Sequence, residues 1–114
     1  MNWEIKFLPD ALTDIRKLDK SQQILVNKAL KKVSTNPLPQ NEGGYGKPLG
    51  NKNARNLSGL LKIKLKDAGI RIVYKLIHNQ NEMFIIVVAT RVNDTVYDLA
   101  KQRIAKYFDI ITGS

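Results

Sequence analysis

The residues of this sequence best suited to chemistry are basic and aromatic. In the run 61–66, Lys62, Lys64 and Lys66 alternate with apolar residues, and this spacing predicts a strand with three ammonium groups on one face. After a compact turn, a second alternating run over 70–78 brings further basic residues to the same face. The candidate catalytic residues are three residues of these strands, an arginine at the end of the next strand and a tyrosine in the last helix: Lys62, Lys64, Arg71, Arg91 and Tyr97.

Such a group of residues could promote the cleavage of RNA, in which the 2′-hydroxyl attacks the adjacent phosphorus. The protein must deprotonate that hydroxyl, stabilise the added negative charge at phosphorus and protonate the leaving 5′ oxygen. Fixed cations stabilise this charge more in the transition state than in the ground state. Lys64 could act as the base if neighbouring cations lower its pKa from about 10.4 to near 7, and Tyr97 could stack on a nucleobase. The same residues could also form a nucleic-acid-binding face with no catalysis.

The positive charge of the chain is concentrated around these strands. The 114 residues carry a formal net charge of +9, and the segment 47–75 alone holds eight Lys and Arg residues against one Asp, a net charge of +7. A basic segment of this kind indicates a polyanionic partner, here a nucleic acid. The candidate RNA-binding residues outside the catalytic set are Lys47, Lys52, Arg55, Lys66 and Lys75.

Composition excludes several other classes of site. The chain has no cysteine and one histidine, His78, so thiolate chemistry, disulfides and a two-histidine ribonuclease site are excluded. Carboxylates are too sparse near the basic strands for metal-assisted phosphodiester chemistry, and we therefore expect no metal and no cofactor. The Gly-rich stretch 43–48 is not a phosphate-binding loop, because Lys47 is followed by Pro48 rather than by Ser or Thr.

The length and the termini indicate where the protein acts. We expect a single domain over 1–114, with 105–114 as a C-terminal extension that docks on the rest. The N-terminus has no signal-peptide pattern, and no apolar run approaches the roughly 18 residues that span a membrane. The expected location is the cytoplasm, with no membrane partner.

Hydrophobic periodicity predicts an α+β fold. The N-terminal strand 3–7 precedes a hairpin of two amphipathic helices, the second capped by Ser21, and the segment 37–56 is expected to be a surface loop. A three-stranded antiparallel meander and a C-terminal helix follow. Their predicted order along the chain is strand from 57, strand 70–78, doubly buried strand 83–92 and helix 95–104. The helical hairpin thus packs against a four-stranded, mostly antiparallel sheet.

The same residues also carry a resemblance to a known family. The run Leu60-Leu61-Lys62-Ile63-Lys64-Leu65, the hairpin Gly69-Ile70-Arg71-Ile72-Val73-Tyr74, and Arg91 followed by Val96-Tyr97 resemble the RelE toxins of the RelE/ParE superfamily. The resemblance covers residues 3 to about 105 and implies a RelE-like fold. The loop 37–56 is longer than in compact RelE toxins, and the tail beyond Ile104 is extra.

The resemblance implies a toxin of a type II toxin–antitoxin system that cleaves messenger RNA in the ribosomal A site. It implies that Lys64 is the general base, Arg91 the general acid, and Tyr97 the residue that stacks on the substrate, while Lys62 and Arg71 contact the phosphate. The implied partners are a cognate antitoxin, usually acidic or partly disordered, and the ribosome with its mRNA. A toxin that inhibits DNA gyrase without catalysis and a basic nucleic-acid-binding module are the alternatives.

Overall fold

The computed structural model describes residues 2–52, 55–90 and 95–111, with the backbone alone for 50–52, 55–58 and 95. Five strands and four α-helices follow one another along this part of the chain. Their bounds are β1 Glu4–Phe7, α1 Pro9–Arg16, α2 Lys20–Val33, β2 Lys47–Lys52, β3 Arg55–Leu65, β4 Ile70–Ile77, β5 Glu82–Ala89, α3 Thr95–Lys106 and α4 Phe108–Ile111. Short 3₁₀ turns lie at Gln40–Glu42, Lys66–Ala68 and His78–Gln80.

The strands form one mixed sheet in the order β1-β5-β4-β3-β2. β1 pairs with β5 in parallel, and every other neighbouring pair is antiparallel. The prediction of an α+β fold with a helical hairpin, a meander and a C-terminal helix is confirmed. The predicted count of four strands is wrong, because β2 adds a fifth at the edge next to β3.

β2 lies within the segment that was expected to be a surface loop. Pro48 and Gly50 both disfavour a strand interior, yet they occur here on an edge strand whose pairing with β3 shifts register between them. An edge strand tolerates proline because one side of it needs no donor for a neighbouring strand. The Pro-, Gly- and Asn-rich composition of the segment 37–56 therefore did not predict β2, which is stabilised by its pairing with β3.

The core lies along the centre of the sheet. In β5, six successive residues from Met83 to Val88 are buried, which confirms the prediction of a strand covered on both faces. The apolar stripe of α2 contributes Val26, Leu30 and Val33 to the same core. Among the described helices, none has the length and apolar character required to cross a lipid bilayer.

The N-terminus of α2 is capped by Asp19 and not by Ser21. The Asp19 carboxylate accepts a hydrogen bond from the Gln22 backbone N–H at 2.8 Å, and the Gln22 side chain accepts one from the Asp19 N–H at 3.1 Å. Ser21 donates its hydroxyl proton to Asp19 at 2.7 Å. The hydrogen bonds that the Asp19 carboxylate accepts hold its pKa below the usual value. The bond from the Ser21 hydroxyl has the largest effect, and that from the Gln22 N–H follows. The prediction placed the cap two residues too late.

An ion pair fastens α3 to α1 and to the edge of β5. β1 covers that edge only as far as Ile85, the partner of Phe7. Beyond it, Asp14 accepts a hydrogen bond from the Val88 N–H at 3.0 Å, and Arg103 donates to the Ile86 carbonyl at 3.0 Å. Two guanidinium nitrogens of Arg103 also donate to the two carboxylate oxygens of Asp14, at 2.6 and 3.1 Å. This bidentate pair satisfies the Val88 N–H and the Ile86 carbonyl, which lie beyond the pairing with β1, and it fixes the position of α3.

The C-terminal tail docks on the first helix. α3 ends at Lys106, and the hydroxyl of Tyr107 donates a hydrogen bond to Asp10 of α1 at 3.3 Å. Ile111, at the end of α4, is buried. A hydrogen bond to Tyr107 and the nearby charge of Asp10 raise the pKa of Lys106. Residues 112–114 of the predicted extension lie outside the described residues.

Candidate active site

The pairing of β3 with β4 brings together the basic residues that alternation placed on one face. Lys64 lies directly opposite Arg71 in the antiparallel register, and Lys62 lies opposite Val73. On the other side of β3, Lys47 of β2 is the direct partner of Lys62. Residues that lie directly opposite each other on neighbouring antiparallel strands have Cβ atoms about 5 Å apart. Lys47, Lys62, Lys64 and Arg71 therefore start from adjoining positions on one face.

The hydroxyl of Tyr97 joins two of these cations to α3. Arg71 donates a hydrogen bond to it at 2.7 Å, and Lys62 donates one at 3.3 Å. The ammonium group of Lys62 also lies 5.8 Å from the centroid of the Tyr97 ring, within the range of a cation–π contact. Four of the five candidate catalytic residues are thus close together in space, although the sequence separates Lys62 from Tyr97 by 35 positions.

These four residues differ in how much water they meet. Lys62 is only 2% exposed and Tyr97 only 3%, whereas Lys64 is exposed and Arg71 is partly buried. Of the three lysines predicted to share one face, Lys62 is the buried one, because Tyr97 of α3 lies over that part of the face. The ring of Tyr97 is thus largely covered by its neighbours, and its stacking on a nucleobase stays a prediction.

A cavity of about 340 Å³ opens beside Lys62 and Lys64. The cavity is also lined by Lys47 and by Lys66, which lies in the 3₁₀ turn after β3. Two of the predicted RNA-binding residues therefore lie next to Lys62 and Lys64. Gln40 and Tyr45 complete the polar and aromatic parts of the wall. The sequence analysis did not include Gln40 and Tyr45 among the candidate residues, because they belong to the segment 37–56 that was expected to be a surface loop. The available signal was an aromatic residue between two glycines, just before Lys47.

The other predicted residues lie away from this cluster or outside the described residues. Lys75 is four residues along β4 from Arg71, roughly 13 Å of extended strand, and it lines a separate cavity of about 260 Å³ with Glu42 and His78. The backbones of Lys52 and Arg55 pair with each other at the far end of the β2–β3 hairpin. Arg91 lies outside the described residues, so its place among the catalytic residues stays a prediction.

Within residues 2–52, 55–90 and 95–111, no group of three or more His, Asp or Glu side chains is arranged to hold a metal ion. The single histidine, His78, is exposed and packs edge-on against Trp3, with ring centroids 5.6 Å apart. The side chains described at the basic cavity and beside it supply basic groups, phenols and an amide.

Comparison with known proteins identifies the family. No family model matches the chain. A protein of Escherichia coli named as a RelE-like toxin is 34% identical over 103 residues, which cover 90% of this chain and 98% of that protein. The chain belongs to the RelE-like toxin family. The resemblance on which the sequence prediction relied is confirmed.

Solved RelE structures show the same architecture. A mutant of the Escherichia coli toxin RelE in the free state superposes with a TM-score of 0.70 at 30% identity, covering 91% of this chain and 99% of that one. RelE in the intact Escherichia coli RelBE toxin–antitoxin complex gives a TM-score of 0.62 at 27% identity, covering 80% and 99%. The RelE-like fold thus extends over most of the chain.

Proposed function

We propose that this RelE-like toxin is a metal-independent endoribonuclease that cleaves messenger RNA in the ribosomal A site. The observation that carries the proposal is the meeting of Lys62 and Arg71 at the Tyr97 hydroxyl, with Lys64 directly opposite Arg71 on the same sheet face. Two cations that share one hydroxyl form a site for a phosphodiester group whose negative charge increases during the reaction, with the Lys64 amine beside them.

In the proposed reaction, Lys64 in its neutral amine form accepts the proton of the 2′-hydroxyl, and it is the exposed member of the opposed pair with Arg71. The 2′ oxygen then bonds to phosphorus and the bond from phosphorus to the 5′ oxygen breaks, leaving a 2′,3′-cyclic phosphate. Arg71 and Lys62 stabilise the charge on the phosphoryl oxygens, and a guanidinium suits two of these oxygens at once. Arg91 donates the proton that the leaving 5′ oxygen requires.

The proposed partners follow from the family and from the charge. Solved relatives include RelE with its antitoxin RelB, and we assign a cognate antitoxin to this chain, with acidic segments that complement the +7 segment 47–75. The second partner is the ribosome with its mRNA, which places the protein in the cytoplasm. The proposed reaction uses no small-molecule cofactor.

The test is cleavage of a defined mRNA by the purified protein in the presence of ribosomes, with the cuts mapped by primer extension. The wild type should cut inside the translated frame. Both K64A and K64R should lower the single-turnover rate by about 10²-fold or more, because arginine keeps the charge but does not act as a base. The exposed Lys20, at the start of α2, provides the control variant K20A, which should cut like the wild type.

Two results would overturn the proposal. Toxicity with accumulating DNA breaks and intact mRNA would favour the gyrase-inhibiting alternative. A harmless wild-type protein that binds RNA with a steep salt dependence would favour the non-catalytic binding module.

A further inference from the structure

Tyr45 presents an aromatic ring where the basic cavity opens to solvent. Its side chain is 45% exposed and lines the cavity together with Lys47, Lys62 and Lys64. The ring of Tyr97, a residue of α3, is buried, and its hydroxyl accepts hydrogen bonds from two cations. Of these two tyrosines, Tyr45 is the one whose ring a ligand in the cavity can reach.

Backbone hydrogen bonds hold the segment that carries Tyr45 in one conformation. The Tyr45 N–H donates to the Asn36 carbonyl at 3.1 Å, just after α2. On either side, the Gln40 N–H donates to the Gly46 carbonyl at 2.7 Å and the Gly46 N–H donates to the Leu38 carbonyl at 3.1 Å. The ring thus projects from a backbone that is already ordered, so little conformational entropy is lost when a ligand binds.

The glycines that flank Tyr45 make this close packing possible. A Cβ atom at Gly44 would lie 2.0 Å from the Leu38 carbonyl oxygen. A Cβ atom at Gly46 would lie 2.2 Å from the hydroxyl of Tyr74, which itself donates to the Pro37 carbonyl at 2.7 Å. The Gly-Tyr-Gly sequence lies in the stretch 43–48, which does not have the sequence of a phosphate-binding loop. Its two glycines allow the backbone to pack closely enough to place one aromatic ring beside β3.

The surroundings of the ring suit a nucleotide. The ammonium of Lys32 lies 5.3 Å from the ring centroid, and Lys47, Lys62, Lys64 and Lys66 line the cavity. Single-stranded nucleic acids are bound by this combination, in which cations follow the backbone and aromatic rings stack on bases. The amide of Gln40 offers both a donor and an acceptor to a base edge. A volume of about 340 Å³ lies within the range of small-ligand pockets.

We propose that Tyr45 is a stacking platform for a nucleobase of single-stranded RNA, in a subsite adjoining Lys62 and Lys64. The inference rests on the proposed ribonuclease function, and it adds a base-binding residue outside the five candidate catalytic residues. The nucleotide stacked here lies next to the one whose phosphate contacts Lys64, so Tyr45 contributes to the choice of the sequence that is cut.

The test is equilibrium binding of a fluorescein-labelled RNA heptamer, measured by anisotropy at fixed salt. All sugars carry 2′-fluoro groups, which prevents cleavage, and a matched probe has the same backbone with every base removed. The wild type should bind the intact probe at least about tenfold more tightly than the abasic one. Y45F should keep this preference, whereas Y45L should lose most of it and bind the abasic probe as the wild type does.

The control replaces an exposed aromatic residue elsewhere. F108L, in α4, should bind both probes like the wild type, and the thermal unfolding midpoints of F108L and Y45L should match that of the wild type. If Y45L retains the full preference for the intact probe, or if the wild type shows none, the subsite is overturned, even where mRNA cleavage is observed. If the preference depends on Tyr45 but no mRNA is cut with ribosomes present, the subsite stands and the proposed cleavage is wrong.

Discussion

The guanidinium of Arg71 donates a hydrogen bond to the hydroxyl of Tyr97 at 2.7 Å. This bond connects β4, the middle strand of the sheet, to α3. Lys62 donates to the same oxygen at 3.3 Å. A neutral oxygen between two cations lowers their mutual repulsion and fixes the direction in which each points. This arrangement favours a role for Tyr97 in positioning the two cations of the proposed site, and stacking on the substrate is the alternative role.

Two substitutions of Tyr97 separate these roles. Y97F keeps the ring and removes the hydroxyl, and Y97L removes both. If Tyr97 positions Arg71 and Lys62, Y97F should lose most of the cleavage rate that Y97L loses, about tenfold or more, with little change in KM. The measurement is single-turnover cleavage of mRNA on ribosomes. Full activity in Y97F together with loss in Y97L would instead assign a stacking role.

The bidentate pair of Asp14 and Arg103 should stabilise the fold by linking α1 to α3. The two side chains are mostly buried, and each also bonds to the backbone of β5. Urea unfolding of D14A, R103A and the double variant should give a coupling energy of about 2 kcal/mol. The exposed pair of Glu4 and Lys6, 3.5 Å apart, provides the control cycle, with a coupling energy near zero. Equal coupling in the two cycles would contradict this role for Arg103.

Local patterns predicted the register of the site but not its burial. Alternation along β3 and β4 was enough to place Lys64 and Arg71 on one face, and Gly69, with a φ of 67°, closes the turn between them as expected. The contact of Tyr97 with Lys62 depends on how α3 packs on the sheet, which no spacing within either segment encodes. Pairing with β3 likewise overrode the turn-like composition of β2 around Pro48.

The packing of Gly46 against Tyr74 should appear as a non-additive pair of substitutions. Burial raises the pKa of Tyr74, so its hydroxyl stays protonated and donates to the Pro37 carbonyl. G46A should cost about 1–3 kcal/mol, since its Cβ atom would meet that hydroxyl. Y74F should cost about 1 kcal/mol through the lost hydrogen bond. In the double variant the steric cost is largely relieved, so its loss of unfolding free energy should be smaller than the sum; a strictly additive result would contradict the packing.

The positions of the lysines predict which of them contact the RNA backbone. Lys47 and Lys66 line the cavity beside Lys62 and Lys64, whereas Lys75 lines a different cavity four residues farther along β4. Each phosphate contact releases counterions, so the logarithm of the RNA-binding constant falls linearly with the logarithm of the salt concentration.

K47A and K66A should each weaken binding of a single-stranded RNA and reduce the magnitude of that slope by about 0.7, the value for one contact with a single strand. K75A should leave the slope unchanged, although it removes the same formal charge. Long-range attraction depends on the total charge of the protein. If all three substitutions changed the salt slope equally, RNA binding would depend on the net charge of +9 and not on the arrangement of cations around the cavity.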